Sequence, residues 1–394
     1  MDLLDLVRIV GGLVLLVAGA EALVRGASSL ARRLGMSSLV VGLTVVAVAT
    51  STPELAVTLD AVFTGSPDLA VGNVVGSNIV NILLILGVSA VVLPLTVRLR
   101  LVRLDLPIMV FLSVLLLVLA LDGTVSRLDG VILLAGFVGY TAFSVVIGRR
   151  PTGTPAPTPA PTPAPTPAAT PAATPGAAPG AGAIPDDDAA EGTEDEKPPA
   201  SVLVSVLLVV AGIALLVLGA RLLVAGAVGI AQAVGVSELV IGLTVVAAGT
   251  SAPELAASVV AARRGERDMA VGNIVGSNIA NIGLILGLPA VLAGGGIPVP
   301  DAAIALDMPL MIATAVALLP VAFTGFAIRR WEGALFVGLY VAYTAYLVLQ
   351  ATAHDALQGF TAAMLWFVLP LVAATLLAVT AYEVGLRRGR RAVG

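Results

Sequence analysis

The chain has 394 residues, of which 58% are hydrophobic and 12% are charged, with a formal net charge of −4 at pH 7. Soluble domains carry about 25% charged residues, so the composition excludes a soluble protein and predicts an integral membrane protein, with the lipid bilayer as its surroundings. The absence of cysteine excludes a disulfide framework and cysteine-ligated metal, and the slightly acidic balance gives no reason to expect nucleic acid as a partner.

Apolar segments of about 20 residues, the length that crosses the hydrocarbon core, recur along the chain. In the first half they lie near 3–24, 37–63, 67–93, 105–121 and 128–148. In the second half they lie near 201–224, 237–262, 268–293, 302–321 and 331–350, and one more lies near 359–383. The sequence thus predicts an all-α protein of two five-helix repeats and one extra C-terminal span.

These spans divide the chain into four regions. Residues 1–149 form the first repeat, 201–350 the second, and 351–394 the additional span with a basic tail. Between the repeats, 150–200 is rich in Pro, Thr and Ala and then acidic. Proline at this density favours extended polyproline II chain, so we expect a disordered linker without a folded domain.

The basic residues predict the orientation in the cell membrane. With the N-terminus outside, all of the 21 Lys and Arg residues except Arg8, Arg127 and Arg221 face the cytoplasm, as do the central linker and the C-terminal tail. Each half has five spans, an odd number, so the second half enters the membrane inverted relative to the first. The loop 64–68 has no basic residue, whereas its equivalent 263–268 has three, which fits this inversion. Inverted repeats are common in secondary transporters.

The two halves share one long motif. Residues 42–87 and 242–287 align without a gap, and 30 of the 46 positions are identical. The identities include Glu54 and Glu254, which lie in apolar surroundings where an ionisable residue is expensive and therefore predicts a functional site. A duplicated carboxylate predicts a site assembled from both halves.

A proline follows a Thr-Ser pair just before each glutamate, as TSTPE at 50–54 and TSAPE at 250–254. Proline breaks a helix in mid-span, which predicts discontinuous helices and free carbonyls around Ala47, Thr50, Ala247 and Thr250. The S-x-x-E spacing also fits a capping box, in which Glu54 only caps the new helix. Carboxylates, carbonyls and hydroxyls are hard ligands that suit Ca²⁺, and no soft ligand favours copper or zinc.

A second motif, GNVVGSNIVN at 72–81, recurs as GNIVGSNIAN at 272–281. Its G-x-x-x-G pairs predict close helix packing. Ser77 and Asn81 share one helix face, as do Ser277 and Asn281, which favours cation coordination. For the first two asparagines of each motif, packing and coordination both remain open. Glu21, Asp105 and Asp307 have no equivalent in the aligned motifs and are weaker candidates.

Together these motifs resemble the α-repeats of the cation/Ca²⁺ exchanger superfamily, most closely the prokaryotic sodium/calcium exchangers, over residues 1–350. The resemblance implies Ca²⁺ bound by Glu54 and Glu254 with the backbone oxygens of Thr50 and Thr250. It implies Na⁺ in flanking positions lined by Ala47, Thr50, Ser51 and Ser77, and by Ala247, Thr250, Ser251 and Ser277, with Asn81 at the border of the central position. Many relatives have aspartate where this chain has Asn281, which puts potassium co-transport and a proton step there in doubt.

The function we expect is antiport of Ca²⁺ against Na⁺ at a mid-membrane site by alternating access, with these ions as substrates and no cofactor, enzyme activity or obligate protein partner. A calcium/proton antiporter using the same glutamates is the main alternative, although the histidine-containing motif of such relatives is missing. A cation channel fits inverted broken helices less well. An intramembrane hydrolase is poorer still, because the lone histidine, His354, lies outside the predicted spans.

Overall fold

The computed structural model describes residues 3–148 and 201–393, which are nearly all helical. The helices of the first half are α1 (Leu3–Leu34), α2 (the bent pair Ser38–Thr50 and Thr52–Phe63), α3 (Pro67–Val92), α4 (Leu101–Asp122) and α5 (Arg127–Gly148). Those of the second are α6 (Val202–Ala233), α7 (the bent pair Thr244–Thr250 and Ala252–Arg263), α8 (Arg267–Leu292), α9 (Ala303–Phe323), α10 (Arg330–Ala351) and α11 (Ala356–Gly385).

Within these ranges, nine helices are long and apolar enough to cross a membrane, and up to eleven spans result if each bent pair counts as one. The predicted all-α membrane fold with discontinuous helices is therefore confirmed. The expected linker, 150–200, lies outside the described residues.

The first helices of the two halves, α1 and α6, pack with their backbones in direct contact. A Cβ added to Gly12 would lie 2.7 Å from the Gly219 carbonyl, and one added to Gly19 would lie 2.9 Å from the Gly212 carbonyl. Only glycine allows this approach. The lower-numbered glycine of one helix faces the higher-numbered glycine of the other, so α1 and α6 run antiparallel. Equivalent helices of opposite direction are what an inverted repeat requires.

Four two-residue strands also pair between the two halves of the molecule. β1 (Leu95–Thr96), before α4, pairs antiparallel with β4 (Ala327–Ile328), before α10. β2 (Thr124–Val125), before α5, pairs with β3 (Ile297–Pro298), before α9. Each strand thus finds its partner in the other half of the molecule.

Helices α3 and α8 form the centre of the molecule. In the most apolar 18-residue stretch of each helix, 78% of residues in α3 and 83% in α8 are buried. In the other unbroken spans, this buried share is at most 39%. Both helices contain a π-helical turn at the same point, Asn81–Leu86 in α3 and Asn281–Leu286 in α8. Such turns often occur at functional sites, because they widen the helix and redirect its side chains.

The two halves differ in how the first part of each broken helix packs. Added Cβ atoms at Gly272 and Gly276 of α8 would lie 2.8 Å and 2.5 Å from the carbonyl oxygens of Leu39 and Leu43 in α2. At Gly72 and Gly76 of α3, an added Cβ would meet nothing within 4 Å. The predicted close packing is therefore confirmed for the second motif and is wrong for the first in this conformation. One of two equivalent packings is closed and the other is open.

Ion pairs between the halves lie beside the closed packing. Glu21 of α1 accepts a hydrogen bond of 2.7 Å from Nε of Arg264, which follows α7. Arg98, after β1, pairs with Asp268 in the first turn of α8. In the described part of the chain, no ion pair joins the equivalent positions on the open side.

Candidate cation site

The break in α2 occurs at Ser51, where φ is −82° and ψ is 7°, and the two parts meet at 45°. Pro53 has no N–H, so the Ala49 carbonyl lacks its usual donor. The expectation of a free carbonyl at Ala47 is wrong, because this oxygen accepts from the Ser51 N–H at 3.0 Å and from Thr50 Oγ1 at 3.3 Å.

The two predicted carboxylates are buried, with Glu54 and Glu254 each 1% exposed. Ser51 Oγ donates to Glu254 Oε1 at 3.1 Å, and Ser251 Oγ donates to Glu54 Oε1 at 3.5 Å. Neither serine caps its own helix. The capping-box interpretation is therefore wrong, because each serine hydroxyl binds the glutamate of the opposite repeat.

Four asparagines form a second crosswise layer. Asn81 Nδ2 donates to Asn278 Oδ1 at 3.0 Å, and Asn281 Nδ2 donates to Asn78 Oδ1 at 3.1 Å. Each is 1% exposed. The π-helical turn that begins at Asn281 lies against the second part of α2, which carries Glu54, and the turn at Asn81 lies against the second part of α7. The fold thus brings the carboxylates and the amides of both repeats together.

The first asparagine of each motif, Asn73 or Asn273, binds side-chain hydroxyls. Asn273 Oδ1 lies 3.2 Å from Thr50 Oγ1, and its Nδ2 donates to Ser258 Oγ at 3.0 Å. Asn73 Nδ2 donates to Thr58 Oγ1 at 2.9 Å and to the Glu54 carbonyl at 3.1 Å. These asparagines fix the second parts of α7 and α2 against the central helices.

In the described part of the chain, five buried oxygens at this place have no hydrogen-bond partner: Glu54 Oε2, Glu254 Oε2, Asn81 Oδ1, Asn281 Oδ1 and Ser277 Oγ. Leaving a buried polar atom unpaired costs about 1–3 kcal/mol, and more for a charged group. The two serine bonds hold both carboxylates at one site, where their like charges repel each other. Oxygen donors with two negative charges fit a hard cation, which would pair these atoms and offset the repulsion.

Within the described ranges, the site has two carboxylates and no third. Among the described residues, no group of three or more His, Cys, Asp and Glu side chains could hold a metal ion. The remaining donors are neutral amides, hydroxyls and carbonyls. Ser77, Thr50, Ser51 and Ser251 are all buried, and Ala47 is fully buried, whereas the side chain of Ala247 is not described.

Sequence reasoning missed two further pairs. Asp105 accepts a hydrogen bond of 3.0 Å from Tyr140 OH, and Asp307 lies beside Tyr343. The conclusion that these aspartates have no equivalent is therefore wrong. Both begin a D-x-P-x-M segment, at 105–109 and 307–311, which could have revealed them. Unequal loops before α4 and α9 displaced the two segments in the alignment.

The methionines of these segments reach the amide layer. Asn278 Nδ2 donates to Met109 Sδ at 3.5 Å, and Asn78 Nδ2 donates to Met311 Sδ at 3.3 Å. Each methionine is 1% exposed. Helices α4 and α9 thereby contribute to a site that the sequence assigned to α2, α3, α7 and α8 alone.

The chain resembles known proteins over both halves. A family model described as sodium/calcium exchanger protein matches residues 4–146 and 204–349. The sodium/calcium exchanger MaX1 of Methanosarcina acetivorans is 35% identical over 342 residues, covering 79% of this chain and 89% of that protein. The putative antiporter CaxA of Alkalimonas amylolytica is 36% identical over 315 residues, covering 79% of this chain and 88% of CaxA.

A solved structure shows the same architecture. The sodium-calcium exchanger NCX_Mj, soaked with Na⁺ and Sr²⁺, superposes with a TM-score of 0.68 at 31% sequence identity. The match covers 88% of this chain and 99% of that one. The similarity therefore extends through the helices that build the site.

Proposed function

Because the chain belongs to the sodium/calcium exchanger protein family, and so is a membrane cation antiporter and no enzyme, we propose that it exchanges Ca²⁺ for Na⁺. The observation that carries this proposal is the pair of buried, unpartnered oxygens Glu54 Oε2 and Glu254 Oε2, one from each repeat. Two carboxylates balance one Ca²⁺ or two Na⁺. A third Na⁺ would leave one charge uncompensated and make transport electrogenic, at about 2.3 kcal/mol per 100 mV.

The unequal packing of the two halves supports alternating access. The first part of α2 is closed against Gly272 and Gly276, while Gly72 and Gly76 are open. Because the motifs are equivalent, the opposite state would close the first part of α7 on α3 and open α2. With the N-terminus outside, as the basic residues predict, the closed side is cytoplasmic. The site then opens to the outside in this conformation.

The test is Ca²⁺ uptake by purified protein in liposomes, driven in separate experiments by Na⁺, H⁺ and K⁺ gradients. We expect uptake with the Na⁺ gradient. Uptake driven by the proton gradient alone would instead identify a calcium/proton antiporter that uses the same two glutamates.

The same assay tests the site. Glu54→Gln and Glu254→Gln should each abolish exchange, because each removes one of two charges that face a divalent ion. The matched control is Glu332→Gln, since Glu332 is also 1% exposed but caps α10 by accepting from the Arg329 N–H at 2.7 Å. Wild-type exchange by either of the two site variants would refute the assignment.

A further inference from the structure

The central amides are held in a line of hydrogen bonds that begins outside the site. Met311 Sδ accepts from Asn78 Nδ2 at 3.3 Å, and Asn78 Oδ1 accepts from Asn281 Nδ2 at 3.1 Å. Asn281 Oδ1, at the end of the line, is buried and has no hydrogen-bond partner among the described residues. The line therefore runs from α9 through α3 to α8 and leaves one oxygen free.

The other half contains the same line. Met109 Sδ, Asn278 and Asn81 are joined by bonds of 3.5 Å and 3.0 Å, and Asn81 Oδ1 is again buried and unpartnered. The two lines share no residue. The same donors, acceptors and unpaired oxygens occur in both lines. This repetition indicates that the fold itself produces the arrangement.

An amide side chain has a donor end and an acceptor end, so its direction matters at a cation site. With Nδ2 bound to Asn78, the amide of Asn281 must turn Oδ1 away from that bond. In the reverse direction it would present N–H groups to a cation. Asn78 is itself an amide that can point either way, and a hydrogen-bond acceptor beside its Nδ2 favours the direction seen here. A thioether sulfur is such a group.

We propose that Asn78 and Asn278 are positioning residues whose direction is set by Met311 and Met109, so that the oxygens of Asn281 and Asn81 face the transported cations. This role rests on the proposed function, because it needs a cation at the site. The methionines act only through the asparagines and contact no ion. They determine that the amides of Asn281 and Asn81 present an oxygen, and not N–H groups, to the cation.

Two substitutions of one methionine separate this role from packing. Met311→Leu keeps an apolar side chain of similar size but removes the acceptor, so Asn78 and Asn281 lose their fixed direction. Met311→Gln keeps an acceptor at similar reach through Oε1 but buries an extra polar group. A packing role predicts that Leu is tolerated better than Gln. A positioning role predicts the opposite order for cation affinity.

The experiment measures Ca²⁺ binding to purified protein without Na⁺, together with thermal stability. We expect Met311→Leu to weaken Ca²⁺ binding about five- to tenfold, the equivalent of one hydrogen bond, with little change in stability. Met311→Gln should bind more tightly than Met311→Leu, even if its melting temperature is lower. The control is Met308→Leu, a fully buried methionine of the same helix with no amide contact in the described hydrogen bonds.

Wild-type affinity of Met311→Leu, or weaker binding by Met311→Gln than by Met311→Leu, would overturn the proposal. If a variant of Met311 does not fold, Met109→Leu and Met109→Gln make the same comparison in the other line. Direct binding keeps the two proposals apart. Ca²⁺ binding without Na⁺-driven uptake in the wild type refutes the proposed exchange and leaves the order of the variants to decide the positioning role.

Discussion

Ser51 and Ser251 occupy equivalent positions but hold the opposite glutamates at different distances. Ser51 Oγ lies 3.1 Å from Glu254 Oε1, whereas Ser251 Oγ lies 3.5 Å from Glu54 Oε1. A hydrogen bond to a charged group contributes about 1.5–3 kcal/mol at good geometry and weakens as the distance grows. In this conformation, Ser51 therefore holds Glu254 more firmly than Ser251 holds Glu54.

We expect Ser51→Ala to weaken Ca²⁺ affinity about tenfold or more, and Ser251→Ala to weaken it less. Affinity should be measured on purified protein without Na⁺. Ser51→Thr keeps the hydroxyl and is the control, with a smaller loss than alanine. A larger effect at position 251 than at 51 would show that the serine–glutamate contacts do not set the affinity.

The neutral side chain of Asn281 leads to a second prediction, about potassium. A neutral amide supplies no charge for an additional monovalent cation, so exchange should proceed at the same rate when K⁺ is replaced by choline. The measurement is Na⁺-driven Ca²⁺ uptake in both media. Strict dependence on K⁺ would contradict a site with only two carboxylates.

Single residues also show what the sequence can and cannot provide. Glu54 and Glu254 were predictable, because a carboxylate beside a proline in an apolar segment has few structural explanations. The direction of the Asn281 amide was not, since it depends on Asn78 and Met311, which belong to two other helices. Asp105 and Asp307 were missed because the loops that precede them differ in length.

At the scale of helices, hydropathy predicted the spans, and proline predicted the breaks in α2 and α7. The π-helical turns at Asn81 and Asn281 were not predicted, because one extra residue in a turn leaves little trace in the apolar pattern. The contrast between Gly276 and Gly76 was also outside the reach of the sequence. In the proposed alternating access, one motif would serve both states of the molecule, and the structure shows it packed in one half and open in the other.

The same substitution, glycine to alanine, should therefore have different effects at Gly276 and at Gly76. An added Cβ at Gly276 would lie 2.5 Å from the Leu43 carbonyl, so Gly276→Ala should destabilise this conformation by about 1–3 kcal/mol. Gly76→Ala meets nothing within 4 Å here and should keep wild-type stability. It should still slow exchange, because the opposite state needs the same close packing at α3. Thermal unfolding and uptake rates measure the two effects, and equal loss of stability in both variants would refute the asymmetry.

For the whole molecule, the ion pairs on the closed side act together. Exposed pairs contribute about 0.2–1 kcal/mol each, so Glu21 with Arg264 and Arg98 with Asp268 together change the ratio of the two states up to about thirtyfold. Among the described residues, no equivalent ion pairs stabilise the open side. We infer that the ion pairs favour the state seen here.

This bias can be measured with a single cysteine, because the chain contains none. Thr52 is exposed at the start of the second part of α2, whereas its equivalent Ala252 is 8% exposed. Thr52→Cys should react with a membrane-impermeant thiol reagent, and the added substitutions Glu21→Gln and Asp268→Asn should slow the reaction severalfold as the other state gains population. Ala252→Cys should change in the opposite direction. Unchanged rates at both positions would show that the ion pairs have no part in the balance.

The crosswise bonds also determine when the site can form during biosynthesis. Ser51 and Glu254 are 203 positions apart, Asn81 and Asn278 are 197 apart, and β1 pairs with β4 near the end of the second repeat. A first repeat that has just left the ribosome holds a glutamate, an amide layer and a strand that all lack their partners. Contacts at such separation form late. The nascent chain must therefore remain in the membrane with half a binding site until α10 has been inserted.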